Sequence, residues 1–462
     1  MQSASTTISI PELRATAGGR VITPDDSDYD SARAVKAGTV DRRPAAIVRV
    51  ANADDVAHVV NLARDAGVEL AVRSGGHSAA GYSTTDGGIV IDLRDMKKLQ
   101  IDVATSSAWA ETGLTAGEVT TALAPHGLAI GFGDTGSVGI GGITLGGGVG
   151  YLVRKHGMTI DSLLAAEIVT ADGALLRVDA DSHPDLFWAI RGGGGNFGVA
   201  TRFRYRLHEL DQVVGGMLIL PATAETVAGF IAAAEAAPEE LSTIANVMNC
   251  PPMPFVPEEH HGSLVIMGML AYAGPTADGE RALAPFRALA TPLADMCKPI
   301  PYPEMYPPED PDYHPTAAAV TMLMDHVDRD AADTIMQYLE ASDASLRVAQ
   351  LRVLGGAMAR VPADATAYAH RASRIMVNVA AFYEGPDDRV VREKWVADFA
   401  AALHQGDDGA YVNFLGDEGA ERVRAAYPAE TWDRLLAVKA HYDPNNVFRL
   451  NQNVAASADA AS

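Results

Sequence analysis

The sequence predicts an α+β fold with two domains, because its 462 residues change in character near residue 210. Up to that point, short apolar runs typical of strands alternate with a clear helix pattern and three glycine-rich loops. Beyond it, glycine loops become rare, and strand-like runs are interspersed with amphipathic helices. We therefore expect one domain over 1–210, a second over 211–410, and a distinct C-terminal segment over 411–462.

Composition and charge narrow the classes of protein that the chain can be. Hydrophobic residues make up 48% and charged residues 21% of the sequence, which is ordinary for a globular protein with a large core. The formal net charge of −23 argues against nucleic acid and anionic membrane surfaces as partners, since both favour basic proteins. No apolar run approaches the roughly 18 residues of a spanning helix, and the N-terminus shows no signal-peptide pattern. We therefore expect a cytoplasmic protein.

The two cysteines, Cys250 and Cys297, lie far apart and form no Cys-x-x-Cys pattern. This spacing predicts neither a zinc site nor a disulfide framework, and we expect no metal site. A reduced, intracellular setting fits this cysteine usage.

The N-terminal domain is predicted to contain a unit of strand, helix and strand. Residues 46–50 and 68–72 are apolar runs that indicate buried strands. Between them, Asn52 has the character of a helix N-cap, and Gly67 marks the end of the helix. A further strand is predicted at 89–93.

The loop that follows this unit, residues 73–81, has the sequence RSGGHSAAG. Its glycines allow a sharp turn and a close approach to a ligand, and successive backbone N–H groups in such a turn form a concave site for an anion. Arg73 is expected to add positive charge at the mouth of this site, and His77 places a reactive imidazole inside it. The loop therefore predicts a phosphate-bearing cofactor that is also held at one specific atom.

The rest of this domain is predicted from local signals. Thr115 and Glu118 have the spacing of a capping box at the start of a helix. An Asp-Gly pair between two apolar runs predicts a hairpin over 164–178. A short helix is predicted over 184–191, and alternating apolar and arginine residues over 202–207 predict a half-exposed strand.

A second glycine-rich stretch, residues 131–150, contains the letters G-x-G-x-x-G from Gly131 to Gly136. A dinucleotide-binding fingerprint must open a helix directly after a strand. Further glycines follow instead, and each would destabilise a helix by about 1 kcal/mol relative to alanine. We therefore reject the dinucleotide fold and predict a long backbone that passes closely along a flat, extended ligand. A third cluster at 192–198 favours this interpretation over a glycine turn without a ligand.

The second domain is predicted to combine strands with packing helices. The strand-like runs are 217–220, 264–269, 348–353 and 376–381, and the amphipathic helices include 279–289 and 390–404. Seven prolines make 299–315 a long irregular loop, which is either the wall or lid of a pocket or a plain surface excursion. Near the C-terminus, a helix over 427–442 is stopped by an Asp-Pro-Asn-Asn turn.

Four motifs together resemble the berberine bridge enzyme-like FAD-linked oxidases of the vanillyl-alcohol oxidase superfamily, and their order and spacing match across almost the whole chain. The motifs are Arg73-Ser74-Gly75-Gly76-His77, Val138-Gly139-Ile140-Gly141-Gly142 with Leu145-Gly146-Gly147-Gly148, Arg191-Gly192-Gly193-Gly194-Gly195-Asn196-Phe197-Gly198, and Asp443-Pro444-Asn445-Asn446-Val447-Phe448 with Asn451-Gln452-Asn453. The resemblance implies a PCMH-type FAD-binding domain at 1–210 and an antiparallel-sheet substrate domain at 211–410. It also implies that 411–462 returns to the FAD domain. The overall character is closest to bacterial oxidases of secondary metabolism.

The resemblance also implies which residues hold the FAD. His77 would carry the flavin on its 8α-methyl group, the loop 73–81 would cradle the pyrophosphate, and 135–148 would run along the flavin. The implied cofactor-binding residues are Arg73, Ser74, Gly75, Gly76, His77, Ser78, Gly81, Tyr82, Thr135, Gly136, Ser137, Val138, Gly139, Gly142, Thr144, Leu145, Gly148, Gly198, Val199, Asn451 and Asn453.

The chain departs from the family pattern at three places. Thr135 stands where many members attach the flavin a second time through a cysteine, and a threonine forms no stable thioether. We therefore predict that FAD is attached covalently through His77 only. Val149 stands where plant members often have a tyrosine base, and the segment 351–356 lacks the acidic pocket residues of the family's amine oxidase. A neutral or aromatic small molecule is therefore a better expected substrate than a cationic amine.

Tyr411 and Asn413 are the expected catalytic residues, because the resemblance puts this Tyr-x-Asn pair on the substrate side of the flavin. The oxidation needs a base within hydrogen-bond reach of the departing proton, and a tyrosine with its usual pKa near 10 needs a stabilising neighbour to act as one. Tyr411 is either that base or a pocket wall with a satisfied hydroxyl. Tyr82 and Tyr151 are weaker candidates to line the pocket.

Together these residues predict an FAD-dependent oxidase. It would move a hydride from a substrate carbon to flavin N5, in the oxidation of a CH–OH or CH–NH group or in an oxidative cyclisation. The reduced flavin would then pass the electrons to O2, giving H2O2. Val138 lies where family members control the access of oxygen, and its small side chain favours an oxidase. The alternatives are a flavin dehydrogenase with another electron acceptor and a non-catalytic, flavin-carrying binding protein.

Overall fold

The computed structural model describes residues 9–455. The strands are β1 (Arg20–Ile22), β2 (Ala46–Arg49), β3 (Leu70–Arg73), β4 (Ile89–Asp92), β5 (Leu99–Asp102), β6 (Ser107–Glu111), β7 (Leu128–Ala129), β8 (Leu163–Val169), β9 (Leu175–Asp179), β10 (Val199–Arg206), β11 (His208–Glu209), β12 (Val213–Pro221), β13 (Leu241–Asn249), β14 (Leu264–Tyr272), β15 (Ala294–Asp295), β16 (Lys298–Ile300), β17 (Ala317–Met324), β18 (Arg347–Val353) and β19 (Ile375–Phe382). The α-helices are α1 (Ile10–Thr16), α2 (Tyr29–Arg33), α3 (Ala53–Ala66), α4 (Ala116–Leu123), α5 (Ile140–Gly146), α6 (Val153–His156), α7 (Pro184–Ala189), α8 (Ala224–Ala236), α9 (Thr276–Arg287), α10 (Arg329–Ala341), α11 (Ala357–Arg360), α12 (Gly385–Leu403), α13 (Ala420–Ala425) and α14 (Ala429–Tyr442). The domain limits at residues 210 and 410 stay predictions.

The first sheet confirms the predicted unit of strand, helix and strand. Its order is β1-β2-β4-β3, and β4 pairs in parallel with both β2 and β3. Helix α3 connects β2 to β3, and at its start the Asn52 side chain accepts a hydrogen bond from the N–H of Asp55. Gly67 ends the helix with a φ of 63°, a backbone conformation that favours glycine. The loop 73–81 therefore leaves the carboxyl end of a strand, where α/β units bind ligands.

The second sheet is antiparallel and has the order β5-β6-β10-β8-β9. The predicted hairpin is confirmed, because β8 and β9 pair around a turn in which Gly173 has a φ of 80°. Along β10, Phe203 and Tyr205 are buried while the arginines between and beyond them are partly exposed, as the alternation predicts. Residues of α4, α5 and α7 complete the core on which this sheet packs.

The second glycine stretch contains a helix that the sequence does not predict. Residues Ile140–Gly146 form α5 in spite of their glycines. Ile140 and Leu145 are buried in the core beside the second sheet, and such tertiary packing outweighs a poor intrinsic helix propensity. The expectation that the glycines would prevent a helix was wrong for these residues. Residues 130–139 separate β7 from α5, so this helix does not open directly after a strand as a dinucleotide-binding helix would.

The predicted antiparallel sheet of the second half of the chain is confirmed. It has the order β15-β12-β14-β13-β18-β19-β17, with β16 also paired to β12. Helices α8, α9, α10 and α12 cover one face, where alternate side chains such as Leu351 and Val377 join their apolar core. Because side chains alternate along a strand, Gln350, Arg352 and Asn378 lie on the opposite face. That polar face is turned toward the N-terminal half, where Arg352 contacts Asp134.

The proline-rich segment 299–315 is only partly irregular. It begins within β16 and includes a 3₁₀ turn, Tyr302–Met305, before an irregular stretch that leads to β17. Glu309 in this stretch contacts Ser137 and Lys36, so the segment packs against the glycine loops instead of running free over the surface.

The C-terminal segment is tied to the third glycine cluster. After α14, the carboxylate of Asp443 accepts hydrogen bonds from the backbone N–H groups of Val447 and Phe448. The buried ammonium of Lys439 donates to that carboxylate at 2.7 Å and to the carbonyl of Asn196 at 2.8 Å. Over residues 9–455, no helix is long and apolar enough to cross a membrane.

Candidate active site

One cavity lies between the glycine-rich loops, the C-terminal segment and the polar face of the large sheet. Its volume of about 470 Å³ is typical of small-molecule and cofactor sites. Both expected catalytic residues, Tyr411 and Asn413, line it. The expected cofactor-binding residues that line it are Ser74, Gly75, Gly76, His77, Ser78, Tyr82, Thr135, Val138, Gly139, Gly142, Leu145, Gly198, Val199 and Asn451.

The remaining expected cofactor residues are not part of the cavity lining. The Thr144 hydroxyl is hydrogen-bonded to Tyr205, and Gly81, at a φ of 73°, is packed against Val40. The backbone N–H of Gly148 donates to Tyr411. The residues outside the lining are Arg73, Gly81, Gly136, Ser137, Thr144, Gly148 and Asn453.

Arg73 does not place its charge at the mouth of the loop, which corrects the expectation from the sequence. Its side chain is 1% exposed, and its guanidinium donates to the backbone carbonyls of Ala32, Arg33 and Ser83. Burial lowers the pKa of Arg73 to about 10, against the opposing effect of Asp92. Arg73 therefore holds the loop from behind, by donating to carbonyl groups at the end of α2 and just beyond the loop.

The two glycine stretches touch each other at a point where only glycine fits. A Cβ atom added to Gly75 would lie 2.2 Å from the backbone N of Gly139, and one added to Gly139 would lie 2.1 Å from the N of Gly75. Next to this crossing, the Ser74 hydroxyl donates to the carbonyl of Thr112 at 2.5 Å and accepts from the N–H of Gly141 at 3.1 Å. The crossing fixes the loop 73–81 against the start of α5.

His77 projects from this loop into the cavity, and one of its ring nitrogens has a protein partner. Its Nε2 lies 3.0 Å from the hydroxyl of Ser137. That hydroxyl donates to Glu309 at 2.6 Å, and the ammonium of Lys36 lies 3.5 Å from the same carboxylate. Burial lowers the pKa of His77, with Glu309 opposing and Lys36 adding to the effect. The imidazole is therefore neutral near pH 7 and keeps a lone pair.

On the other side of the cavity, the phenolic oxygen of Tyr411 accepts two hydrogen bonds. One comes from the N–H of Gly148 at 2.8 Å and the other from Nδ2 of Asn413 at 2.9 Å. Asn413 also donates through Nδ2 to the carbonyl of Ile143 at 3.1 Å, which fixes the orientation of its amide. Burial raises the pKa of Tyr411 above its ordinary value, while Asn413, Gly148 and the charge of Arg352 pull it down.

The polar face of the large sheet places an arginine, which is paired with an aspartate, near this tyrosine. Arg352 is 4% exposed, donates to Asp134 at 2.6 Å and stacks over the ring of Phe414 at 5.0 Å. Asp134 lines the cavity, as does Asn378 from the neighbouring strand. The carboxylate in the lining is therefore neutralised by a buried guanidinium.

Of the two weaker tyrosine candidates, only one lines the cavity. Tyr82 lines the cavity, and burial together with Asp417 raises its pKa to about 12. Tyr151 is buried outside the lining, where its ring packs 6.2 Å from that of Tyr306, and burial raises its pKa strongly. Tyr151 is therefore a core residue.

The cavity wall offers both space and unused polar atoms to a ligand. A Cβ atom added to Gly142 or Gly195 would meet nothing within 4 Å, so both glycines leave open space on the cavity side. The side-chain oxygens of Ser83, Asn451 and Gln452 are buried, and none has a hydrogen-bond partner among residues 9–455. Buried polar atoms without partners are costly, so they indicate groups that a bound molecule satisfies.

Sequence reasoning missed several residues of this site. Glu309 and Lys36 stand behind His77, and Asp134, Arg352 and Asn378 meet beside Tyr411. No short motif marks these residues. The proline-rich composition of 299–315 is the one sequence feature that marks the segment of Glu309.

Comparison with known proteins agrees with the motifs and the cavity. Residues 44–179 match the family model described as FAD binding domain, and residues 410–455 match the model described as berberine and berberine like. The chain is 32% identical to (R)-6-hydroxynicotine oxidase of Paenarthrobacter nicotinovorans, over 94% of this chain and 96% of that protein. It is 31% identical to the uncharacterized FAD-linked oxidoreductase YgaK of Bacillus subtilis, over the same shares of the two chains. The crystal structure of 6-hydroxy-D-nicotine oxidase from Arthrobacter nicotinovorans matches with a TM-score of 0.85 and 30% identity, over 97% of this chain and 99% of that one.

These similarities extend over nearly the whole chain, and they identify FAD as the cofactor for which the cavity has room. The open glycines and the unpartnered oxygens of the wall fit an extended cofactor with many polar atoms. The expected oxidoreductase character is confirmed by relatives that are themselves FAD-linked oxidoreductases and oxidases. The chain therefore belongs to the berberine bridge enzyme-like family of FAD-linked oxidoreductases.

Proposed function

We propose that this protein is an oxidase that removes a hydride from a CH–OH or CH–NH carbon of a neutral or aromatic small molecule. When bound, FAD supplies the redox chemistry, by accepting the hydride at N5 and passing the electrons to O2. What the chain itself must provide is the orientation of the substrate and a group that takes the departing proton.

The hydrogen bonding of Tyr411 is the observation that carries this proposal. Its oxygen accepts hydrogen bonds from Gly148 and Asn413, so its own O–H proton points elsewhere, and no residue in 9–455 accepts it. A phenol in this arrangement can donate to a substrate heteroatom or, once ionised, take its proton. The two donors stabilise the phenolate, which is what a tyrosine base requires.

Arg352 supports the same role electrostatically. Burial raises the pKa of Tyr411, and the buried guanidinium of Arg352 opposes that rise, although the two residues share no hydrogen bond. The salt bridge to Asp134 holds the guanidinium in place. A positive charge fixed near the buried phenol favours its ionised form.

The lining of the substrate side favours an uncharged substrate. Ala319 and Asn378 come from the large sheet, and Phe414 adds an aromatic face. Asp134 is paired with Arg352, so the described lining offers no free carboxylate to a cationic amine. An aromatic or neutral molecule with one hydroxyl or amine group suits apolar walls with a few polar atoms.

We further propose that His77 is the sole covalent attachment point of the FAD. Support comes from its neutral imidazole, its position in the cavity lining and the presence of Thr135 where a cysteine would make a second bond. The loop 73–81 and the open wall at Gly142 and Gly195 would hold the rest of the cofactor.

The oxidase activity can be tested with the purified, flavin-loaded protein. A panel of neutral alcohols, sugars, phenols and amines is screened for peroxide formation, and the best substrate is used to reduce the enzyme without oxygen. We expect mixing with air-saturated buffer to restore the flavin spectrum within milliseconds to seconds. Reoxidation that takes minutes would contradict the oxidase and favour a dehydrogenase with another acceptor. Absence of reduction by any neutral compound would contradict the proposed substrate class.

A further inference from the structure

A row of polar groups runs from His77 into the proline-rich segment, and the reaction proposed above does not use it. His77 Nε2 is 3.0 Å from the Ser137 hydroxyl. Glu309 accepts hydrogen bonds from both that hydroxyl and the backbone N–H of Ser137, at 2.6 Å and 3.1 Å. Lys36 completes the row at 3.5 Å from the same carboxylate. Neither Ser137 nor Glu309 lines the cavity, so both act on the far side of the imidazole.

The row determines which nitrogen of His77 carries a proton. An ionised carboxylate can only accept, so the single proton of the Ser137 hydroxyl goes to Glu309. The serine oxygen must then accept from His77, which places the proton on Nε2. Nδ1 keeps the lone pair, and no residue in 9–455 forms a hydrogen bond with it. The nucleophilic nitrogen is therefore the one that the row leaves free.

The negative charge of Glu309 can compensate the positive charge that bond formation creates on His77. When Nδ1 forms a bond to carbon, the imidazole becomes an imidazolium, and its Nε2–H then points through Ser137 toward an anion. Burial raises the pKa of Glu309, but the hydrogen bonds from Ser137 and the charge of Lys36 lead the opposing effects, which keep that pKa below its ordinary value. Glu309 is thus ionised near neutral pH and can compensate the new positive charge.

From this geometry we propose that Ser137 and Glu309 are positioning residues for the covalent attachment of FAD, an inference that rests on the proposed linkage at His77. In the attachment, a C–H bond of the 8α-methyl group breaks and a bond from Nδ1 to that carbon forms. The electron pair of the C–H bond reduces the isoalloxazine by two electrons, and the protons lost from the methyl carbon and from Nε2 balance that reduction. O2 then takes the two electrons and two protons and leaves as H2O2, so the ring returns to its oxidised form.

The position of Glu309 in the chain adds a condition to this step. Glu309 belongs to the segment 299–315, which precedes strand β17 of the large sheet, whereas His77 and Ser137 belong to the glycine loops. The carboxylate reaches Ser137 only when this segment is packed against the loops. Attachment should therefore be fast only in the fully folded protein and not in a fragment of its N-terminal half.

The test measures attachment itself. Protein is produced under riboflavin limitation and incubated with FAD, and the flavin-bearing fraction is followed over time by the intact mass of acid-denatured samples. We expect Glu309→Gln and Ser137→Val to slow attachment by about 10-fold or more, the size of effect known for removing a partner that orients a metal-binding histidine. Ser137→Thr restores the hydroxyl on the same carbon skeleton as valine and should recover most of the rate. Glu304→Gln changes an exposed carboxylate of the same segment and should attach FAD as fast as the unchanged protein.

The outcomes separate this inference from the linkage on which it rests. If the unchanged protein acquires no covalent flavin, or if His77→Ala still acquires it, the linkage at His77 is contradicted. If the unchanged protein attaches FAD at His77 and Glu309→Gln does so at the same rate, the role of Glu309 is overturned. Equal rates for Ser137→Val and Ser137→Thr would overturn the role of the hydroxyl. Non-covalent binding of FAD, measured by flavin fluorescence before attachment, should be alike in Glu309→Gln, Glu304→Gln and the unchanged protein, which excludes a general loss of folding.

Discussion

The amide nitrogen of Asn413 lies 2.9 Å from the phenolic oxygen of Tyr411, two residues earlier in the chain. The same nitrogen donates to the carbonyl of Ile143 in α5, so the C-terminal segment is fixed to the second glycine stretch at the point where the tyrosine enters the cavity. The N–H of Gly148 adds a second donor to the phenolic oxygen. The hydrogen bond between Asn413 and Tyr411 therefore both holds the tyrosine in position and lowers the pKa of its phenol.

Tyr411→Phe should lower kcat by about 10²- to 10⁴-fold, the usual contribution of a general base. The change removes one oxygen and leaves the ring in place, so flavin loading and Tm should be nearly unchanged. Tyr368→Phe is a matched control, because Tyr368 packs against Tyr411 with its ring 6.1 Å away but does not line the cavity. Steady-state peroxide assays compare the two variants. A Tyr411→Phe enzyme with unchanged kcat would remove this residue from the reaction.

Asn413→Ala should move the rising limb of the kcat pH profile to higher pH. The hydrogen bond from Asn413 lowers the pKa of Tyr411, as do Gly148 and Arg352, while burial raises it. Loss of one lowering contribution raises the pKa, so a larger hydroxide concentration is needed to ionise the phenol. The profile is measured with a substrate that has no titratable group in the same range. A limb that stays in place, or moves to lower pH, would contradict a phenolate base.

Gly142→Leu should prevent the protein from loading FAD without unfolding it. A Cβ atom at this position meets nothing within 4 Å, so a side chain fits the protein and projects into the cavity. Gly142→Ala, which adds a single carbon, should retain more flavin and serves as the graded control. The ratio of flavin absorbance to protein absorbance after purification measures loading. Equal loading in both variants would show that FAD does not pass beside α5.

Asp443→Asn should lower the free energy of unfolding by about 3 kcal/mol or more, because it leaves the buried Lys439 ammonium without its counter-ion. Both side chains of this pair are nearly inaccessible, at 6% and 0% exposed. Asp398→Asn breaks the exposed pair with Lys394 and should cost less than about 1 kcal/mol. Urea denaturation of the two variants gives the comparison. Equal losses would mean that the buried pair does not hold the C-terminal segment to the third glycine cluster.

Elements with local signals could be predicted from the sequence. The N-cap at Asn52 and the C-cap at Gly67 bound α3 as expected, and Thr115 and Glu118 form the expected capping box at α4. The Asp-Gly hairpin was also found where the pattern placed it. In each case the residues that form the cap or turn are only a few positions apart in the sequence, so their identity and spacing are enough to predict it.

Contacts between distant parts of the chain could not be predicted in the same way. Glu309 meets Ser137 across 172 positions, Arg352 meets Asp134 across 218, and Tyr411 meets Gly148 across 263. These contacts depend on how the large sheet and the C-terminal segment pack against the glycine loops. Helix α5 and the buried Arg73 were mispredicted for the same reason, since tertiary packing decided both.

The central claim is a single covalent bond from His77 to FAD, and peptide mapping of the acid-denatured protein tests it most directly. Mass spectrometry of the digest should find one flavin per chain on the peptide that contains His77, with the peptide that contains Thr135 unmodified. Flavin released into the acid supernatant, or flavin found on any other peptide, would contradict the claim.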